Sequence, residues 1–161
     1  MDPLNIDGLP ANALVLVDTA PIIYVLEGHP RFARRFRPLF EAHEAEALQL
    51  AVTTVTIAEV MTGPEQAKVM TGPAQARDDD LALRYSELAF RYSEVFSSWR
   101  VIALDYDIAC RAAVLRAMYR LKLPDAVQAA SALAIDADAL VTHDRDFSCL
   151  KSRVTPMRIM C

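Results

Sequence analysis

The chain has 161 residues, 53% of them apolar and 24% charged, with a formal net charge of −4. This composition fits one folded domain, residues 1–161, with a substantial core, and excludes an intrinsically disordered chain. The acidic balance excludes a bulk polyanion binder, so any nucleic-acid contact must come from a local basic patch.

In chain order, residues 1–12 read as a leader that carries acids instead of the basic start of a signal peptide. Leu14–Val17 is expected as the first strand, and Pro21 suits the first turn of a helix over Ile22, Ile23 and Leu26. Pro30 opens a second helix through Phe32, Phe36, Leu39 and Phe40. Leu48–Thr54 is the second strand. Thr56-Ile57-Ala58-Glu59 then begins a helix with the Ser/Thr-x-x-Glu spacing of a capping box. Residues 60–77 are a tandem duplication: Val60–Lys68 is repeated as Val69–Arg77 with only Glu/Ala and Lys/Arg exchanges. Two short copies cannot build a solenoid, so a lengthened surface connection is expected.

Residues 78–97 are predicted helical, with Leu81, Tyr85, Leu88 and Tyr92 along one face. Val101–Leu104 is the third strand, and Asp105 or Asp107 can cap the helix that follows. Pro124 starts a further helix, Leu140–Thr142 is the fourth strand, and Met157–Met160 a short edge strand. Strands alternating with helix pairs predict an α/β fold: a three-layer α/β/α sandwich around a mostly parallel sheet of four to five strands. No apolar run reaches membrane-spanning length. Cys110, Cys149 and Cys161 show no Cys-x-x-Cys spacing, which argues against structural zinc or a disulfide framework and suits a reducing cytoplasm.

Four acids lie at edges between these elements: Asp18, Glu59, Asp125 and Asp144. Each alone has a structural role open to it. Asp18 can cap or turn, Glu59 can complete the box with Thr56, Asp125 can complement a helix dipole, and Asp144 can stabilise a turn. Taken together they have a common destination, because in a parallel sheet one rim collects the strand ends and binds ligands. Carboxylates gathered there repel one another unless a cation lies between them. A hard divalent ion, Mg²⁺ or Mn²⁺, is the natural one, and phosphodiester hydrolysis is the chemistry it supports.

The blocks Val-Asp-Thr-Ala-Pro-Ile-Ile-Tyr (17–24), Thr-Ile-Ala-Glu-Val (56–60), Leu-Pro-Asp-Ala-Val-Gln-Ala-Ala-Ser-Ala-Leu (123–133) and Leu-Val-Thr-His-Asp-Arg-Asp-Phe (140–147) resemble those of PIN-domain ribonucleases. Within that family they are most similar to the VapC-type toxins of toxin–antitoxin pairs. The resemblance implies a Mg²⁺- or Mn²⁺-dependent endoribonuclease, usually a homodimer, silenced by a cognate antitoxin. It places Asp18, Glu59, Asp125 and Asp144 on the family's acidic positions and Thr142 on a frequent polar position. Ala20 departs from it, since many relatives carry Asn there. Asp146 competes with Asp144 for the fourth acidic position, and Asp144, directly after the strand, is preferred. The duplication begins one residue after Glu59, which makes that acid's placement the point to check.

For RNA, Arg31, Arg34 and Arg35 share a helical face with Arg37 nearby. Arg111 and Arg116, with Arg120 and Lys122, form a second basic set, and Arg145 adjoins Asp144. Each set alone reads as a solvated face, but a hydrolase acting on a polyanion needs positive surface near its acids. His143 adjoins the site, where a lone histidine is more often a packing residue. His29 and His43 are given no role, and Trp99 is assigned to packing. Three other readings stay open: a PIN nuclease of RNA maturation without an antitoxin, a receiver-like domain with Asp18 as phospho-acceptor, and a catalytically silent binding module.

Overall fold

The computed structural model describes residues 3–70, 79–150 and 157–160. Five strands form one sheet: β1 (Ala13–Val17), β2 (Leu48–Thr53), β3 (Arg100–Ile102), β4 (Ala139–Val141) and β5 (Arg158–Met160). The order is β3-β2-β1-β4-β5 and every pairing is parallel. The predicted edge strand is β5. The chain steps outward from β1 through β2 to β3, then returns to the other side of β1 for β4. The crevice beyond the ends of β1 and β4 is therefore the switch point, where open parallel sheets bind ligands.

Side-chain alternation along the strands builds two cores, one on each face. Val15 and Val17, with Leu50 and Val52, pack under α1 (Thr19–Leu26), α2 (Ala33–Glu44), α3 (Thr54–Met70) and α4 (Asp79–Ser97). Leu16, Ala51 and Leu140 pack under α5 (Tyr106–Tyr119), α6 (Leu123–Ala134) and a 3₁₀ turn at Arg145–Leu150. Ala126, Ala129, Ala130 and Ala132 of α6 are fully buried, and their small side chains let that helix lie close to the sheet. The leader is part of the first core: Leu4 is buried, and its N–H donates to the Arg35 carbonyl at 2.8 Å.

Three local expectations change. α2 begins at Ala33, beyond Pro30, and His29 Nδ1 accepts from the N–H groups of Arg31 (3.2 Å) and Phe32 (3.3 Å) ahead of it. α3 begins at Thr54, because Thr53 Oγ1 accepts from the Thr56 N–H at 3.0 Å and caps the helix three residues earlier than the Thr56–Glu59 spacing suggested. The first copy of the duplication continues α3 through Gly63 and Pro64 instead of forming a connection. Residues 71–77 of the second copy lie outside the described residues. Asp105 does cap α5, accepting from the Ile108 N–H at 2.8 Å. Trp99 packs with Phe40 and Phe96 in the core.

Candidate metal centre

Asp18 follows β1 directly and is the N-cap of α1, in extended conformation. Its N–H donates to the Val141 carbonyl at 2.9 Å, carrying the β1–β4 ladder one step onto the rim. Both carboxylate oxygens are engaged. Oδ1 accepts from the Thr19 N–H at 2.8 Å, and Oδ2 accepts from the Thr142 hydroxyl at 2.7 Å. Thr142 is fully buried and serves twice, since its Oγ1 also accepts from the Asp144 N–H at 2.9 Å. One hydroxyl thus fixes the first acid against the fourth.

Asp125 arrives from the first turn of α6, where Pro124 favours the helix start. A carboxylate oxygen from each of Asp125, Asp144 and Asp146 can lie within 4.8 Å of the others. The choice between Asp144 and Asp146 is thereby replaced by a pair, because the 3₁₀ turn returns the chain on itself. The Asp146 N–H donates to Asp144 Oδ1 at 2.8 Å. Lys122 Nζ lies 3.0 Å from Asp146 Oδ2 and bounds the cluster on its solvent side. Glu59 is exposed on α3, and its Oε2 accepts from the Thr19 hydroxyl. That contact brings it beside Asp18 despite the repeat that follows it.

The electrostatics record the crowding. Burial, followed by the charges of Asp144 and Asp18, pushes the Asp125 carboxyl up to about 6, with Lys122 opposing and Asp146 adding to the rise. Burial also raises Asp18, against the two hydrogen bonds it accepts, with Glu59 and Asp144 adding to the rise. Asp125 Oδ2 is buried with no hydrogen-bond partner among the described residues. An orphaned carboxylate oxygen facing further carboxylates calls for positive charge, and an all-oxygen donor set suits Mg²⁺ or Mn²⁺.

A second layer locks the two site helices together. The buried Gln128 Nε2 of α6 donates to Thr56 Oγ1 of α3, one turn before Glu59. Thr19 and the Thr56–Gln128 pair are contributions that sequence reasoning missed, while Lys122, of the second basic set, pairs with an acid of the cluster. Thr19 alone left a signal, as a hydroxyl beside the first acid. Of the basic candidates, Arg31, Arg35 and Arg145 act electrostatically on His143, which adjoins Asp144. Arg34 is exposed on α2. Arg111 lines a cleft with Asp105, Asp107 and Ile135, at the far end of α6 from Asp125. That helix length separates them by about 15 Å. Arg116 is exposed on α5. A larger cleft, about 580 Å³ between α1, α2 and α4, is lined by Glu27, Arg37, Arg84, Glu87 and Arg91 and includes none of Asp18, Glu59, Asp125, Asp144 and Asp146.

The sequence model of the PIN domain matches residues 15–151. The chain belongs to the PIN-domain family. No protein of curated function matches it. Among solved structures, the PIN chain is similar to one described as a toxin–antitoxin complex from Klebsiella pneumoniae. The two share 29% identity and a TM-score of 0.61, over 90% of this chain and 99% of that one. VapBC2 from Rickettsia felis, bound to a DNA fragment from its promoter, shares the fold at 16% identity. Its TM-score is 0.62, over 91% of this chain and 96% of that one. The Mycobacterium tuberculosis toxin VapC20, described as cleaving the sarcin–ricin loop, shares it at 15% identity. Its TM-score is 0.57, over 83% of this chain and 92% of that one.

Proposed function

We propose that the protein is a single-domain, Mg²⁺- or Mn²⁺-dependent endoribonuclease and the toxin of a toxin–antitoxin pair. The observation that carries the reading is the trio Asp125, Asp144 and Asp146, together with the orphaned Asp125 Oδ2. PIN membership and the toxins among the similar structures support a nuclease in this role. They also support an antitoxin as the partner.

Asp125, Asp144 and Asp146 would hold the ion, with Asp18 and Glu59 extending the donor set along the rim through Thr142 and Thr19. When bound, the ion supplies a more acidic water and neutralises charge on the phosphate, worth several kcal/mol of barrier. The chain's own residues then do the rest. Thr142 holds Asp18 at one angle, the cap of α1 fixes its other oxygen, and the Asp146 N–H keeps Asp144 turned toward Asp125. A water among these acids finds carboxylate oxygens to accept its proton, and the product is a cleaved RNA strand with no covalent enzyme intermediate.

The test is cleavage of total RNA by the purified chain with Mn²⁺ and with chelator. Cleavage should require the metal and disappear in Asp18→Asn and Asp125→Asn, with far-UV circular dichroism unchanged. Undiminished cleavage in chelator, or in either variant, ends the assignment. No cleavage under any condition would leave the silent binding module as the better reading. The homodimer rests on α5, where Val114 (56% exposed) and Met118 (65% exposed) stand one turn apart. Light scattering should give twice the chain mass, and a monomer at every concentration would remove that part. Among the described residues no helix is long and apolar enough to cross a membrane, and we place the enzyme in the cytoplasm with its RNA substrate.

A further inference from the structure

Beside the acids lies a second feature that metal binding does not use. His143 sits between Thr142 and Asp144 in the chain, so its ring begins where the acidic rim ends. It meets Phe32 at 4.6 Å between ring centroids and Tyr24 at 5.4 Å, and its Nδ1 lies 3.0 Å from the Tyr24 hydroxyl. Tyr24, Phe32 and His143 are half-buried, and Tyr24 and His143 rest on the fully buried Phe36 at 6.1 and 6.0 Å. Around them stand three guanidinium groups. The Arg31 Cζ is 5.3 Å from the Phe32 ring centroid. The Arg35 Cζ is 5.9 Å from the ring centroid of Phe36, which itself meets His143 at 6.0 Å, and Arg145 follows His143 by two residues.

Packing against the buried Phe36 accounts for the inner side of the ring cluster. It makes no use of the guanidinium groups at its outer edge. A polyanion carrying flat bases uses both parts. Guanidinium groups neutralise phosphates, and aromatic faces stack bases without regard to sequence. Arg111, of the rival basic set, lies at the far end of α6 from Asp125.

Resting on the nuclease reading, we propose that Phe32 and His143, with Arg31, Arg35 and Arg145, seat the nucleotide adjoining the phosphate held at the acids. The base lies against the rings and its phosphates on the arginines. Tyr24 is a positioning residue that fixes the His143 ring through its hydroxyl. The seat recognises single-stranded RNA, since a base in a duplex has no free face to stack.

The experiment measures binding of a short single-stranded RNA to the full chain by fluorescence anisotropy, in chelator so that nothing is cut, across a salt series. Arg31→Ala and Arg145→Ala should each weaken binding severalfold and flatten the log–log salt slope by about 0.7. Phe32→Leu, with His143→Leu as a second variant, should lose about tenfold while keeping the slope. Both losses should vanish on an oligonucleotide carrying abasic sites, and melting curves should show the variants folded. Arg111→Ala and Arg116→Ala should change nothing. The proposal is overturned if the α5 variants carry the loss, if the ring variants act equally on abasic RNA, or if the unsubstituted chain does not bind. Failure of the nuclease reading looks different: the RNA binds, the seat variants weaken it, and Mn²⁺ still produces no cleavage.

Discussion

Replacing Asp125 by Asn should make the metal-free protein more stable even though it destroys the proposed site. The folded protein holds the Asp125 proton up to about pH 6, whereas the ordinary carboxyl value is 3.8. A group whose pKa is raised by folding is a net benefit below its unfolded pKa, and that benefit is lost as pH climbs through the folded value. Between about pH 4 and 6 the folded state therefore loses stability, and above that it stays at the lower level. At 1.36 kcal/mol per unit, the gap of roughly two units sets a ceiling of about 3 kcal/mol. Asp125 is only half-buried, so solvent screening reduces this to about 1 kcal/mol. For a chain of this size that is a rise in Tm of roughly 2–4 °C.

The assay is a pair of thermal melts in chelator, at pH 8 and at pH 4. Asn should be the more stable at pH 8 and lose its advantage at pH 4, where the parent carboxyl is protonated as well. Millimolar Mn²⁺ should then reverse the order at pH 8, because only the parent gains the stabilisation that follows from binding to the native state. An Asn variant less stable at pH 8, or an advantage equal at both pH values, would refute the repulsion argument.

Thr142→Val should cost about 1–3 kcal/mol in urea melts, since it strips a bond from a buried Asp18 oxygen and from the Asp144 N–H. It should also weaken Mn²⁺ binding by about 10- to 100-fold in calorimetry, while Thr142→Ser retains both properties. Thr56→Val and Gln128→Leu should each destabilise by about 1–3 kcal/mol, but the double variant should cost clearly less than their sum. Additive losses in that cycle would mean the α3–α6 hydrogen bond is not what joins them. Lys122→Met should tighten Mn²⁺ binding in calorimetry, because it removes a cation that competes for the Asp146 carboxylate. Weaker binding would show that Lys122 supports the site and does not compete for it.

Much of the fold was legible because its signals were local. The unbroken apolar run Val15-Leu16-Val17 already specified a strand buried on both faces, and Asp105 announced its helix by spacing. The site was legible to the extent that strand ends share a rim, which is why Asp18 and Asp144 could be joined from sequence. The errors fall where two local signals were equally good. Thr53-x-x-Thr56 and Thr56-x-x-Glu59 both offer a cap, and the strand's earlier end decided for the first. The duplicated segment reads as a surface connection, yet α3 runs through Gly63 and Pro64, a case of surroundings overriding propensity. Asp146 looked like a rival to Asp144 because sequence does not reveal that a 3₁₀ turn folds the second carboxylate back toward Asp125. Lys122 beside Asp146 and Gln128 against Thr56 depend on contacts distant in the chain, which no window of sequence contains.

The bond from Thr142 to Asp18 spans 124 positions. Pairing so distant in sequence forms late in folding, since the chain must close a long loop before the contact repays it. A growing polypeptide that stops short of β4 has Asp18, Glu59 and Asp125 in place along its length. It lacks the hydroxyl that orients the first and the carboxylates that complete the set. On the function proposed above, an enzyme that attacks RNA is made on a machine built of RNA. This topology would give it a built-in delay: the chain would gain its chemistry only once its last acids have emerged and docked.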